Sequence, residues 1–372
     1  MGSPFKRRAV GRQKEENSEQ RKEEVMKRIF IDGLSGMAQG LFATLIIGTI
    51  IQQIGLLVGG NYGDLIYVIG KVAAGLTGAG IGVGVARKLD AQHLVTVSAA
   101  VAGMIGAFAS KILAGTVLVD GNLVLAGPGE PLGAFVAAYI AIELGIMISG
   151  KTKLDIILTP LVCIGVGSVV GLVAGPPISK FMTWLGSLIN WGTEQQPFLM
   201  GIVVSVLMGI FLTLPISSAA IGVILNLSGL AAGAATVGCC CNMIGFAVAS
   251  YRENKFGGFL AQGIGTSMLQ MPNIVRHPQI WIPPILSSAI LGPVSTMLLH
   301  MTNNATGSGM GTAGLVGPLM TWQVMIPSEE PMIVLLKIIA IQFVLPAVLT
   351  LGISEFMRKR NWIRSGEMQL EL

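Results

Sequence analysis

Apolar residues along this chain gather into long runs with few interruptions. Crossing a hydrocarbon core takes about 20 apolar residues, and in the first half runs of that kind fall at 34–58, 65–86, 93–116, 131–149 and 154–175. In the second half they fall at 198–214, 217–249, 256–271, 281–301 and 332–354. Repeated runs of this length predict an all-α integral membrane protein with about ten transmembrane helices.

The interruptions carry as much information as the runs. The stretch from Gly175 to Pro197 holds Pro176, Pro177, Trp184 and Trp191. Read as too broken to span, it is expected to form an interfacial helix. Pro215 with Ser217 and Ser218 breaks one run, and TNNATGSGMGTAGLVGP from Thr302 to Pro318 is too polar and glycine-rich to face lipid. Such backbone survives at membrane depth only when buried in protein or lining a watery cavity, so two re-entrant hairpins are expected in the second half.

Charge and composition agree with a bilayer as solvent. Only 12% of residues are charged, against about 25% in soluble domains. Of the 43 charged residues, 14 lie in residues 1–28 and 7 in 355–372, leaving the middle almost uncharged. The net charge of +5 therefore reflects basic ends and short loops, the positive-inside pattern, and no nucleic-acid partner is expected. Arg87 and Lys88, then Lys151 and Lys153, fall on the side of the basic N-terminus, and Arg358 to Arg364 bring the C-terminus back to it. Both termini are expected in the cytoplasm. Residues 1–28 are too charged for an apolar leader, which leaves the first apolar run as the insertion signal. Glycine accounts for 50 of 372 residues, close to twice the usual share of about 7%, and lies within the apolar runs, where it lets helices approach closely. Cys163 and the run Cys239, Cys240 and Cys241 have no disulfide or metal spacing. Small-residue packing is the expected role, and no metal or cofactor is expected.

No P-loop, zinc spacing or nucleophile elbow is present. Candidate chemistry rests instead on polar groups within apolar runs, which are costly to bury. Lys71 and Glu143 could neutralise each other, as a structural pair or beside a solute pathway, whereas Asp32, Lys337, His93 and His300 sit near run ends and read as interfacial. Asn273, Arg276 and His277 cluster between prolines, either as donors and acceptors for a polyhydroxylated ligand or as a solvated loop. Asn303, Asn304, Thr306 and Ser308 line a cavity or form an aqueous loop.

The stretch GIGTSMLQMPNIVRHPQIWIPPILSSAI from Gly263 resembles the segment reading roughly GINEPVIFGLPIVMNPLMAIPFILVP in the membrane IIC components of the sugar phosphotransferase system, glucose superfamily. Gly263-Ile264, Ile274-Val275, His277-Pro278 in place of Asn-Pro, and Ile282-Pro283 keep register without a gap. DGLSGMAQGLFATLIIGTI from Asp32 is similar to the first helix of that family, and among its branches the divergent group that includes the perfringolysin O regulator is the closest in pattern. The resemblance implies a charged tail at 1–28, a dimerising N-terminal part at 29–196, a ligand-binding part at 197–354 and a second tail at 355–372. It implies a homodimeric multi-pass protein of the bacterial cytoplasmic membrane that binds a carbohydrate or similar polar solute.

The sugar-binding acid of transporting members falls at Thr266, the His-Gly pair is absent, and tails too short to fold alone lead to the expectation that neither a IIA nor a IIB domain is fused. At most the chain is the membrane component of a sugar phosphotransferase, with cytosolic partners supplying the phosphoryl group. Two readings follow: a permease with Thr266, Asn273, His277, Asn303, Asn304, Thr306 and Glu143 around the solute, or a membrane sensor that binds a solute and regulates gene expression without transporting it.

Overall fold

The computed structural model describes residue 24 and residues 26–125, 127–152 and 154–370. The charged tail at 1–28 and Lys153 thus lie largely or wholly outside the described residues. Helix dominates, as the apolar runs predict. Among the described residues, six helices are long and apolar enough to cross a membrane: α1 (Arg28–Val58), α6 (Pro131–Ile148), α7 (Asp155–Thr193), α10 (Gly229–Ala249), α13 (Pro278–Leu298) and α16 (Pro331–Lys359). The pair α2 (Gly60–Gly75) and α3 (Thr77–Lys88) passes the same test together, with a bend of 51° between them. Shorter apolar helices are α4 (His93–Ala107), followed by α5 (Ala109–Leu113), and α8 (Pro197–Thr213). A small hairpin, β1 (Leu118–Val119) and β2 (Asn122–Leu123), turns on Asp120 and Gly121, both at positive φ as a two-residue hairpin turn requires.

In the first half, α1 and the bent pair α2/α3 form one antiparallel hairpin. The chain reverses at Gly59 and Gly60, both left-handed with φ near +60°, a region side chains avoid. Along the hairpin, small residues interlock in constant register: Gly36 lies against Gly84, Gly40 against Gly80, Gly48 against Gly70 and Ala74, and Gly55 against Gly63. A Cβ at Gly40 would collide with the Gly80 carbonyl, so the backbones touch. Small residues four apart on both partners allow that approach, and dispersion over the resulting contact drives helix association where lipid offers no hydrophobic gain.

α7 departs from expectation. It continues without a break through Pro160, Pro176 and Pro177 to Thr193, where the sequence predicts one crossing followed by a separate interfacial helix. At 39 residues it is about 58 Å long, against a hydrocarbon core of about 30 Å. The proline pair comes after the most apolar stretch, and there the missing N–H groups do not end the helix.

In the second half, α10 is the axis: 89% of its most apolar window is buried, against 22% for α1 and α7. Its glycines, alanines and the three adjacent cysteines leave room for α8, α13 and α16 to close around it, and all four cysteines are buried. Between α10 and α13 the chain does not form the single 256–271 helix that its apolarity suggests. It is broken into α11 (Tyr251–Leu260), two short turns at Ala261–Gly265 and Ser267–Gln270, and α12 (Met271–Arg276).

The glycine register makes a direct prediction. Gly40→Leu should lower the thermal midpoint of the detergent-solubilised protein by an amount equivalent to about 1–3 kcal/mol, the usual cost of overpacking. Gly165→Ala, at a glycine with nothing within 4 Å, should be neutral. Equal midpoints for the two variants would rule out the close-packed hairpin.

Candidate functional site

The two interruptions of the second half meet in space. After α8 the chain passes through Pro215 into α9 (Ser218–Ile224), and after α13 it passes through Thr302 into α14 (Ala305–Ser308). Ser218 Oγ donates to the Gly309 carbonyl at 2.7 Å, and Gly222 packs on Ser308. The Asn303 N–H donates to the Gly229 carbonyl at 3.3 Å. Beyond α14 the backbone turns through Gly311 at φ +53°, where the missing side chain leaves space for Cys239, and enters α15 (Val316–Met325). Asn303 and most of 307–314 are buried in protein.

Asn303 is the clasp of this arrangement. Its Nδ2 lies 2.7 Å from Thr236 Oγ1, 3.0 Å from Thr321 Oγ1 and 3.2 Å from the Gly317 carbonyl, while its Oδ1 accepts from the Asn304 N–H at 2.8 Å. Gln342 Nε2 donates to Thr321 Oγ1 at 2.9 Å, and its buried Oε1 has no partner. Asn304 caps α14 through its Oδ1, which accepts from the Gly307 N–H at 3.0 Å, and Thr306 is exposed.

A second polar chain crosses the middle of the same half. Thr213 Oγ1 and Ser267 Oγ are 2.8 Å apart, and Thr213 also reaches Asn242 Oδ1 at 3.3 Å. Asn242 Oδ1 accepts from the Trp281 indole N–H at 2.9 Å, and its Nδ2 donates to the Gly238 carbonyl at 3.2 Å and to Ser288 Oγ at 3.4 Å. Thr266 adjoins this chain: extended and buried, it accepts from the Met268 N–H at 3.2 Å. Thr312 Oγ1 donates to the Gly263 carbonyl at 2.5 Å and so ties the 302–318 segment to it. Sequence reasoning passed over Thr213, Asn242, Ser267 and Trp281. Asn242 carried a usable signal, an amide in the middle of an apolar run.

Asn273 and His277 lie elsewhere, under the C-terminal segment. Asn273 Nδ2 donates to Gln270 Oε1 at 2.9 Å and to the Gln369 carbonyl at 2.8 Å, and His277 Nδ1 faces Glu367 Oε1 at 3.6 Å. Glu143 is far from both groups, on α6, and its partner is Arg28 at 2.6 Å. Lys71, the partner considered from sequence, is exposed on α2. Lys337 pairs with Glu329 at 2.6 Å and also donates to the Leu299 carbonyl at 2.9 Å. The seven candidates thus fall into three places: Thr266, Asn303, Asn304 and Thr306 around the broken segments, Asn273 and His277 under the tail, and Glu143 in the first half.

Among the described residues no group of three or more His, Cys, Asp or Glu is placed to hold a metal. Outside the spans, burial pushes the Glu130 carboxyl up from 4.5 to about 7, and the hydrogen bond from the Leu132 N–H opposes that rise.

A family model described as "Phosphotransferase system, EIIC" matches residues 31–370. Comparison with curated proteins gave no match.

Stability should rank the polar residues around the broken segments. Asn303→Ala should cost about 1–3 kcal/mol, since it removes a buried hub. Asn304→Ala should cost about 1 kcal/mol as a lost cap, and Thr306→Ala should stay within about 0.5 kcal/mol as a surface change. Thermal unfolding checks the order, and an Asn303 variant as stable as the Thr306 variant would remove the clasp. Glu130 adds a pH term. A folded value raised above the unfolded one contributes stability that is complete below about 4.5 and lost as pH rises through about 7. After discounting for partial solvation, on the order of 1 kcal/mol should disappear between about pH 5 and about pH 8. Glu130→Gln should flatten that slope, and an unchanged slope would show that the carboxyl is ionised throughout.

Proposed function

The chain belongs to the phosphotransferase system EIIC family, and from that premise we propose that it is a IIC-type permease that binds and moves a carbohydrate or similar polar solute across the bacterial cytoplasmic membrane. The observation that carries this reading is the chain of buried Thr213, Ser267, Asn242 and Ser288 with half-buried Trp281, uncharged and lying beside the two broken segments. Hydroxyls, a carboxamide and an indole suit a polyol: the amide and hydroxyls exchange hydrogen bonds with solute hydroxyls, and the flat ring covers C–H faces. Thr266 stands next to this group in the position of the family's acid, and Asn303 and Asn304 hold the wall formed by 302–318.

The proposed division of labour follows packing. The part at 29–196, zipped by glycine contacts, is the rigid scaffold and carries the homodimer contact. The part at 197–354, with its broken helices, moves against it. The seam between them runs along α1, where Phe42 packs on Gly265 and Ile50 on Gly314. We place the broken segments as re-entrant elements, since unwound backbone at membrane depth is tolerated where it lines a cavity or is buried in protein. Both termini are placed in the cytoplasm because the basic clusters lie at the ends. Cytosolic phosphotransferase components are partners if transfer accompanies passage. The sensor reading is favoured by one observation: in place of an acid the chain has Thr266, whose hydroxyl already accepts the Met268 N–H.

Reconstituted protein offered a panel of labelled sugars and polyols should bind one of them, and Asn242→Leu and Trp281→Phe should weaken that binding by about 1–3 kcal/mol each. Accumulation inside proteoliposomes marks a permease, and binding without accumulation marks a sensor. A bound sugar whose affinity neither substitution alters would move the site away from this polar chain. Cysteine labelling at either end of the chain in whole cells should require permeabilisation, and labelling from outside would reverse the topology.

A further inference from the structure

After α16 the chain does not leave the molecule. Residues 363–370 fold back across α11 and α12, with Ile363 2% and Met368 0% exposed. Most of the hydrogen bonds that hold this segment join a side chain to backbone. Asn254 grips it at two points: its Nδ2 donates to the Met368 carbonyl and its Oδ1 accepts from the Leu370 N–H, both at 2.8 Å. Glu253 accepts from the Gly366 N–H at 3.2 Å while held by Arg358 at 3.0 Å. Glu367 accepts from Gln279 Nε2 at 3.2 Å and from the Arg364 N–H at 3.0 Å.

Beneath the segment lies a ladder of carboxamides. Gln270 Nε2 donates to Gln262 Oε1 at 2.8 Å, Asn273 Nδ2 donates to Gln270 Oε1 at 2.9 Å, and the same two amides also donate to the carbonyls of Met368 and Gln369 at 2.9 and 2.8 Å. The segment also borders a cavity shared by both halves of the protein, lined by Ser35, Ala38 and Gln39 of α1, by Leu269, Pro272 and Asn273, and by Gln369 and Leu370. It therefore lies over the seam between the halves, at the end of the molecule where α1 begins and α16 finishes.

We infer that residues 363–370 form a releasable strap that closes this seam and occupies, through the carbonyls of Met368 and Gln369, the donors of Gln270 and of Asn273, the latter lining the cavity. Segments without regular structure, fixed by a few polar contacts and two apolar anchors, open at lower free energy than the helices beneath them. The amides of Gln270 and Asn273 meet the strap as they would meet any carbonyl or hydroxyl, so water entering the seam and the strap compete for the same groups. The inference rests on these contacts alone and does not require the solute reading.

The test uses the full chain in detergent, where membrane sidedness plays no part. Ser35→Cys places one thiol at the cavity, and the four native cysteines are buried. With the strap intact, labelling of this thiol by a maleimide should be slow. Adding Asn254→Ala and Glu367→Ala, which keep the chain length, should speed labelling by about tenfold while the thermal midpoint moves little, since lost polar contacts shift the local opening equilibrium. Ending the chain at Asn361 should give at least the same acceleration. An unchanged rate in a folded double variant overturns the strap. Loss of the fold in both the double variant and the truncation also overturns it, by showing the segment to be an integral part of the core.

Discussion

In a bilayer, every backbone N–H and C=O in the hydrocarbon region must find its partner within the protein, because an unpaired group costs several kcal/mol. The second half of this chain carries Pro215, the 261–270 turns and the 302–315 turns within otherwise apolar sequence. Each interruption frees backbone groups that no helix satisfies. The fold answers by packing the interruptions on one another and on the buried helix α10. Asn303 spans Thr236, Gly317 and Thr321, Ser218 reaches Gly309, and Thr312 reaches Gly263. The burial of α10 follows from the same demand, since a helix that receives these contacts on several sides cannot also face lipid.

Two kinds of cohesion coexist as a result. The first half is joined by glycine contacts along α1, α2 and α3, short-range and without alternative geometry, because moving one backbone by a fraction of an ångström loses dispersion along the whole hairpin. The second half also has close glycine contacts, such as Gly201 against Gly292 and Gly238 against Ser205, and adds a set of hydroxyls and amides. Such groups can exchange one partner for another, protein or solute, at small net cost, because each side chain has several donor and acceptor positions. The chain that combines these two kinds of cohesion belongs to the phosphotransferase system EIIC family.

Several charges in the described residues meet an opposite charge. Lys337 and Glu329 meet beside the Leu299 carbonyl, Arg28 meets Glu143, and Arg358 meets Glu253 at the foot of the C-terminal segment. Among the described residues, the polar side chains around Asn242 and Asn303 are neutral.

The sequence alone determined the helical membrane class, the family resemblance and the positions of the interruptions, because each depends on local composition: run length against bilayer thickness, glycine and proline against helix, the Gly263 stretch against a known pattern. The expectation that the Thr302 to Pro318 stretch is not a lipid-facing helix rested on the same ground. Tertiary structure alone decided which distant polar groups meet. Glu143 pairs with Arg28 and not with Lys71, Asn242 joins Thr213 and Trp281 across gaps of 29 and 39 residues, and Thr213 joins Ser267 across a gap of 54. Asn273 and His277, adjacent in sequence to Thr266, part from it because the turns at 261–270 redirect the chain and the C-terminal segment returns to meet them. Such pairings depend on how helices cross and where broken backbone is buried, and hydropathy along a single chain carries no record of either. The unbroken course of α7 through Pro176 and Pro177 was hidden for a related reason: a proline removes one hydrogen bond locally, and only packing along the rest of the helix determines whether that loss bends it or ends it.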